Sequence, residues 1–538
     1  MIQSKSNTLT HLSVYTKALI ENFNKIRDRK IPSESERISV SPTVSLFAIA
    51  YEKLRNVVEY REAHLIRRAA IERILKRRLA LNPQGTNEGE NLIRELLWAR
   101  YFPNESLGIS DVEKIQNVID KYILIEKNLL VGRSENQKNY FNRFLFDLMT
   151  CEIEEVLCPK ESQTNSLFTF YIYQVLKEKL KIENTQENDK NAYFYVALEK
   201  SFNKSDTAYL RYRIFCLYHE RVSDLNPSQI KSLTLRLPEL FTDIDGLITN
   251  PITDRLRRFV KNQMPPFKIL FDLFLDKGSE ISNTLKNTDV LWTEIEQLCR
   301  SKYEYVRKRL NNLAIKAIIY IFLTKMIIAL ILEYPLSLRI FGEVNIIALI
   351  INTIFPPILI FAIVGLTGIP GFENTKKIYN RIIDIINADK TFEKTISFIT
   401  KQSKPKRPTL VFGFTVFYTF TFFITFYFLY IVLTYLGFNL LSQGVFVFFV
   451  TLVSYFGYRI RQIAKQYKFK EEEDFFRPFL DIFFMPILSV GKFLSRGLSK
   501  LNFFTVLFDF FIEAPFKLFI EVGEEWISFV RSKKEEIE

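Results

Sequence analysis

From Met1 to Leu310, apolar positions recur with helical period and no charge-free run approaches the length needed to cross a bilayer, so this part reads as a soluble, all-helical body. Turn signals at "KIPSESERISVSPT", "LNPQGTNEGE", "YFPNESLGIS" and "VGRSEN" separate its elements, and no alternating strand pattern of useful length is present. The longest unbroken pattern, Thr43 to Leu81, lacks Gly and Pro and stops before Asn82 and Pro83. Ser110 in "SDVEKIQ" and Ser134 in "SENQ" stand where N-caps are expected, each followed by a side chain able to close a capping box. After a stretch broken by Pro227, Pro238, Pro251, Pro265 and Pro266, the segment "TDVLWTEIEQLCRSKYEYVRKRLNN" enters the apolar region with no breaker. A movement of the body would then pass directly into the first span.

Beyond Leu310 the pattern becomes continuously apolar. Leu313 to Leu332, interrupted by Lys316 and Lys325, and the uncharged Asn345 to Leu366 are each long enough to span once. The uncharged stretch Pro408 to Tyr458 is long enough for two spans, Leu410–Leu436 and Leu441–Tyr458, parted by the turn residues of "YLGFNLLSQG". Nine Lys and Arg lie between Thr367 and Arg407, against Arg339 alone between the first two spans. Basic loops resist export, so the expectation is four spans with both termini cytoplasmic in a cell inner membrane. The first thirty residues hold no apolar run of signal-peptide length, which agrees with that orientation.

The tail "FFRPFLDIFFMPILSV" and "NFFTVLFDFFIEAPFKLFI" resembles two further spans in hydrophobicity. As spans they would place Lys492, Arg496 and Lys500 on the exported side and Asp509, Glu513 and Lys517 inside the bilayer, at about 2.5–3.5 kcal/mol for each central charge. Both charge sets recur every four residues, which puts each on one helix stripe. The expectation is therefore interfacial helices on the cytoplasmic surface, with Lys492, Arg496 and Lys500 toward anionic lipid.

Of 538 residues, 48% are hydrophobic and only four are Cys, which excludes disordered and disulfide-scaffold classes; the mean hydropathy is +0.03. The net charge of +13 favours anionic partners, although the body carries only +7 from 48 basic and 41 acidic residues. No Walker loop, G-x-G-x-x-G, G-x-S-x-G or paired C-x-x-C occurs, and "HERVS" at His219 lacks the second His of a zinc motif. "DIDG" at Asp243 lacks the closing Glu of a calcium loop. Cys151 and Cys158, one heptad apart, read as buried thiols. No metal or cofactor is expected, and an enzyme within the soluble half ranks third among the functional readings, because acids abound but no nucleophile and base pair up in the sequence.

Two constellations remain. Arg67, Arg68, Arg73, Lys76, Arg77 and Arg78 form a basic helix that is a candidate face for anionic lipid; nucleic acid is not expected there. The bland reading, a solvated face laced with salt bridges such as Glu72 to Lys76, ranks above it. Lys325 stands seven residues before Leu332, and Asn352 seven after Asn345, so antiparallel spans would bring both to one depth, about 10 Å below the outer edge. With Glu333 and Glu343 near the outer mouth, this polar group is either an interhelical contact or an ion path. Pro356 and Pro357 free carbonyls in the second span.

"EYPLSLRIFGEVNIIALIINTIFPPILIFAIVGLTGIPGFENTKKIYNRIID" and "DFFIEAPFKLFIEVGEEWISFV" resemble uncharacterised multi-pass membrane proteins of bacteria, a resemblance that covers the membrane half and implies a bacterial inner membrane but no reaction. The expected architecture is all-α. It comprises a cytoplasmic domain (1–310), a hairpin of spans (311–366), a basic connection (367–407), a second hairpin (408–458) and an interfacial tail (459–538). The leading functional expectation is a non-enzymatic scaffold that binds a cytoplasmic protein, alone or as a homo-oligomer. The alternative is ion or proton permeation through the first two spans.

Overall fold

The computed structural model describes residues 11–28, 37–41, 45, 52, 62–183, 187–342, 344–388, 398–401, 408–469 and 477–500, with Val522, Trp526, Phe529, Val530 and Lys533. Glu343 and the acidic stripe Asp509 to Glu525 lie outside the described residues. In chain order the helices are α1 (Val14–Arg27), α2 (Ala63–Leu81), α3 (Glu88–Trp98), α4 (Ile109–Leu129), α5 (Glu135–Leu157), α6 (Pro159–Leu176), α7 (Glu187–Ser201), α8 (Thr207–Tyr218) and α9 (Pro227–Thr249). They continue with α10 (Pro251–Lys277), α11 (Ile281–Lys286), α12 (Thr288–Ile328), α13 (Tyr334–Phe341), α14 (Ile346–Gly365), α15 (Phe372–Ile386), α16 (Pro408–Tyr435), α17 (Leu440–Ala464) and α18 (Arg477–Lys500).

The body has two cores. Helices α2 to α5, α8 and α9 close around Ile71, Leu96, Ile119 and Phe144, whose ring stacks on Phe241 at 3.7 Å. A second core, nearer the spans, joins α1, α6, α7, α10 and the start of α12 through Phe168, Ile172, Phe267 and Ile295. Asparagines start three of the long helices of the body. Asn226, Asn250 and Asn287 accept backbone N–H groups at 3.0, 2.9 and 3.1 Å, and Pro227 and Pro251 occupy first-turn positions where no donor is needed.

Three local expectations are corrected. The Thr43–Leu81 pattern does not form one helix, because Glu62 is extended (φ −67°, ψ 153°) and α2 starts at Ala63; the Glu62 carboxylate is drawn to Lys204. Ser110 is not a cap, since α4 begins a residue earlier and Asp111 takes the Gly108 N–H at 3.1 Å; Ser134 does cap α5. Four residues of the body, β1 (Leu180–Glu183), pair in parallel with β2 (Phe398–Lys401), a match too short to show a period in sequence.

The basic connection is more than a linker. Its helix α15 inserts Ile378, Ile382, Ile385 and Ile386, all fully buried, into the second core of the body. The Ile386 carbonyl accepts the Ser13 N–H at 2.9 Å and the Thr16 hydroxyl at 3.1 Å. Ile460 and Ala464, at the end of α17, join the same core. Body and membrane half thus share side chains rather than meeting through a tether.

Among the described residues, four helices are long and apolar enough to cross a membrane, and the first is continuous from Thr288 to Phe341. Helices α12, α14 and α17 pack into a bundle around Ala317, Ile321, Ile360 and Val453. Gly457 lets α14 close in, since a Cβ there would lie 2.7 Å from Ile363 Cδ1. Helix α16 stands at the periphery and packs more on α18 than on α17. Helix α18 runs alongside α17, where a Cβ on Gly491 would overlap the Thr451 carbonyl oxygen. Lys492 is exposed; Arg496 and Lys500 continue the helix, with side chains outside the described set.

Candidate functional site: a buried ion pair between spans

The first span does not end at Leu332. A π-helical turn, Ala329–Glu333, carries α12 into α13, with Pro335 in the first turn of α13, where its missing N–H is tolerated. The wider turn leaves Glu333 facing inward rather than at the outer mouth. Its side chain is 1% exposed, and those of Lys325 and Asn352 are at 0%.

Lys325 Nζ lies 3.3 Å from Glu333 Oε2, and Asn352 Nδ2 donates to Glu333 Oε1 at 2.6 Å and to the Ser442 carbonyl at 3.3 Å. The ammonium also stands 4.8 Å from the Phe449 ring centroid, on its π face. Residues of α12 and α14 therefore converge on the carboxylate of the π turn, and α17 contacts both of them. Its depth differs from the expectation that Lys325 and Asn352 share a level. Asn352 is six residues from the start of α14, about 9 Å in, whereas Lys325 is sixteen residues from Phe341, about 24 Å below that helix end. Glu333 closes the gap between them, with the lysine stem reaching up to it.

The polar chain continues outward. Asn439 caps α17 by accepting the Ser442 N–H at 2.8 Å and donates to buried Ser337 at 3.0 Å. Ser337, Ser442 and Phe449 carry no obvious functional signal in sequence, although Ser337 lies one helical turn beyond Glu333 and so shares its face. Two features mark the site as unsaturated. The ion pair is longer than the usual 2.7–2.9 Å of charge-assisted bonds, and buried Asn352 Oδ1 has no hydrogen-bond partner among the described residues. Pro356 and Pro357 are buried within a continuous α14.

The basic helix is built differently from a solvated face. Arg67 bridges Glu154 and Glu161, both at 2.7 Å, and Arg68 bridges Glu72 at 2.9 Å and Asp206 at 3.0 Å. Arg73 pairs with Glu52 at 2.6 Å, and Arg77 and Arg78 converge on Glu95 at 2.5 and 2.7 Å. Lys76, on Glu72 at 2.5 Å, is the most exposed of the six side chains. The Glu154 carboxylate, its pKa raised by burial, also accepts the Tyr209 hydroxyl at 2.6 Å. This layer joins α2 to α3, α5 and α8, and its chemistry is that of internal cross-links.

Other candidates resolve locally. Burial pushes the Cys158 thiol up to about 12 and Cys151 well above its ordinary value, which makes both poor nucleophiles. Burial pushes His64 down to about 4, so its imidazole is neutral at pH 7, edge-on to Tyr209. The "DIDG" stretch is mid-helix in α9, with Asp245 bonded to Arg211 at 2.7 Å. No family model, curated protein or solved structure matches the chain.

Proposed function

We propose that this integral membrane protein is a non-enzymatic scaffold that holds its helical body against the cytoplasmic face of a cell membrane for a protein partner. What supports the reading is the shared core: Ile378, Ile382 and Ile385 of α15 and Ile460 of α17 are packed among body side chains, so the body keeps a set orientation to the bundle. The basic residues that precede α16 and follow α17 favour the cytoplasmic side for it.

Ion or proton permeation is the second reading, supported by the Lys325–Glu333–Asn352 group and its unfilled Asn352 Oδ1. Flux measurements in proteoliposomes separate the two. The scaffold reading expects the wild type to pass neither ions nor protons faster than empty vesicles, and any such flux refutes it. A flux abolished by the paired change Lys325→Met/Glu333→Leu, which removes both charges while keeping apolar bulk, would assign the path to this site.

A further inference from the structure

We propose that α18 lies within the hydrocarbon of the bilayer beside α16 and α17, its outer face covered by lipid acyl chains; this rests on reading the four apolar helices as membrane spans. Two contacts set its depth. Thr451 stands eight residues from Arg459, the first charge at the body end of α17, which is about 12 Å into the apolar layer. At Thr451 the α18 backbone comes within contact, where the missing Cβ of Gly491 admits the Thr451 carbonyl and would otherwise sit 2.8 Å from Tyr455 Cβ. Tyr418 stands ten residues into α16, about 15 Å, and its hydroxyl meets Ser489 Oγ at 2.9 Å.

Two different spans thus place the same turn of α18 near the middle of a layer about 30 Å thick. The count along α18 agrees. Gly491 is fourteen residues after Arg477 and Thr451 thirteen before Ala464, as in an antiparallel hairpin closed at the body side. A helix lying flat under the bundle would meet α17 only near Ala464.

The outer face identifies what covers it. Phe483, Phe484, Met485 and Phe493 are exposed, continuing the apolar surface that α16 presents through Phe412 and Phe420. Lipid that bathes α16 therefore bathes α18, on which α16 packs more than on α17. Lys492, which is exposed, adds a charge at this depth, and a charge there draws water or headgroups inward.

The test is depth-resolved quenching of tryptophan in the full chain, reconstituted in phospholipids brominated either near the acyl-chain ends or near the headgroup, with the parent protein subtracted. Phe493→Trp reports on α18, and Phe420→Trp, on a lipid-facing position of α16, reports on the spans. The expected result is that both are quenched more strongly by the deep bromines. If Phe420→Trp is quenched by deep bromines while Phe493→Trp responds mainly to shallow ones, α18 is interfacial and the proposal is overturned. If neither responds to deep bromines, the membrane reading itself fails and carries this proposal with it.

Discussion

Replacing Glu333 by Leu removes the carboxylate to which both Lys325 and Asn352 are bonded. Lys325 then keeps a charge with 0% exposure and no other ion-pair partner among the described residues, and Asn352 loses its 2.6 Å acceptor. Breaking one side of a buried pair costs about 3–5 kcal/mol, because the desolvation of the remaining charge is no longer offset. Lys325→Met is expected to cost a comparable amount, since Glu333 is then left on the Asn352 amide alone. This departs from the simplest view of a lone membrane lysine, in which an apolar substitute would be harmless. The double variant Lys325→Met/Glu333→Leu leaves no unpaired charge and should fall within about 1–2 kcal/mol of the parent. The double-mutant cycle therefore yields a coupling energy of several kcal/mol, far above the few tenths found for independent sites. Equilibrium unfolding in mixed micelles, followed by helical circular dichroism, measures all four corners. Additive single costs, with a coupling below about 0.5 kcal/mol, would refute the account of Glu333 as the shared counter-ion.

A fragment of residues 1–310 lacks four isoleucines of α15 that fill the second core, a loss of about 1.5–3 kcal/mol each and comparable in sum to the stability of a domain. It should be non-cooperative in thermal melts and bind a hydrophobic dye, and a sharp melt of the fragment alone would contradict the shared core. His64, neutral in the fold with its pKa lowered to about 4 against 6.5, makes the unfolded chain bind more protons in that window. Its contribution is complete above about pH 6.5 and declines as pH falls toward 4, by about 3 kcal/mol in all. A His64→Gln variant should lose that part of the slope between pH 4 and 6.5, and an unchanged slope would count against a buried neutral imidazole. Gly457→Leu forces a side chain into Ile363 and should destabilise by about 1–3 kcal/mol; a neutral result in the same unfolding assay would show that α14 and α17 are not in close contact.

The apolar stretches were legible because charge-free length is a property of the sequence alone, and each is covered by one of the four apolar helices among the described residues, the first running on past Leu332 to Phe341. Lys325 and Asn352 were legible as rare polar residues in apolar runs and Glu333 as an acid beside them, but the depth of Glu333 was not, since a Glu followed by Tyr334 and Pro335 reads as a helix end. Only the π turn, a three-dimensional adjustment without a motif, carries the helix onward and faces the carboxylate inward. The arginine layer was hidden for another reason. The partners of Arg67 and Arg68 include carboxylates 87 and 138 positions away, and charge counting along one helix sees only Glu72. In α15, Ile378, Ile382, Ile385 and Ile386 have helical spacing, but the nine basic residues around them dominate the reading of that segment. The placement of α18 turned on Gly491 and Ser489, whose importance comes from what they touch.

The unbroken course of α12 makes the protein's two halves a matter of angular phase. From Thr288 to Ile328 it is one rod of 41 residues, about 60 Å long, gripped by the body at Ile295 and Cys299 and by the bundle at Ala317 and Ile321. One residue inserted between those grips would turn the membrane end by about 100° relative to the body, sweeping Lys325 away from the α14–α17 groove and toward lipid. Seven inserted residues would restore the facing to within about 20° while lifting the body by about 10 Å. The spacing between body and membrane is thus quantised by the helical repeat, and lengthening it tolerates near-whole turns where single residues break the alignment.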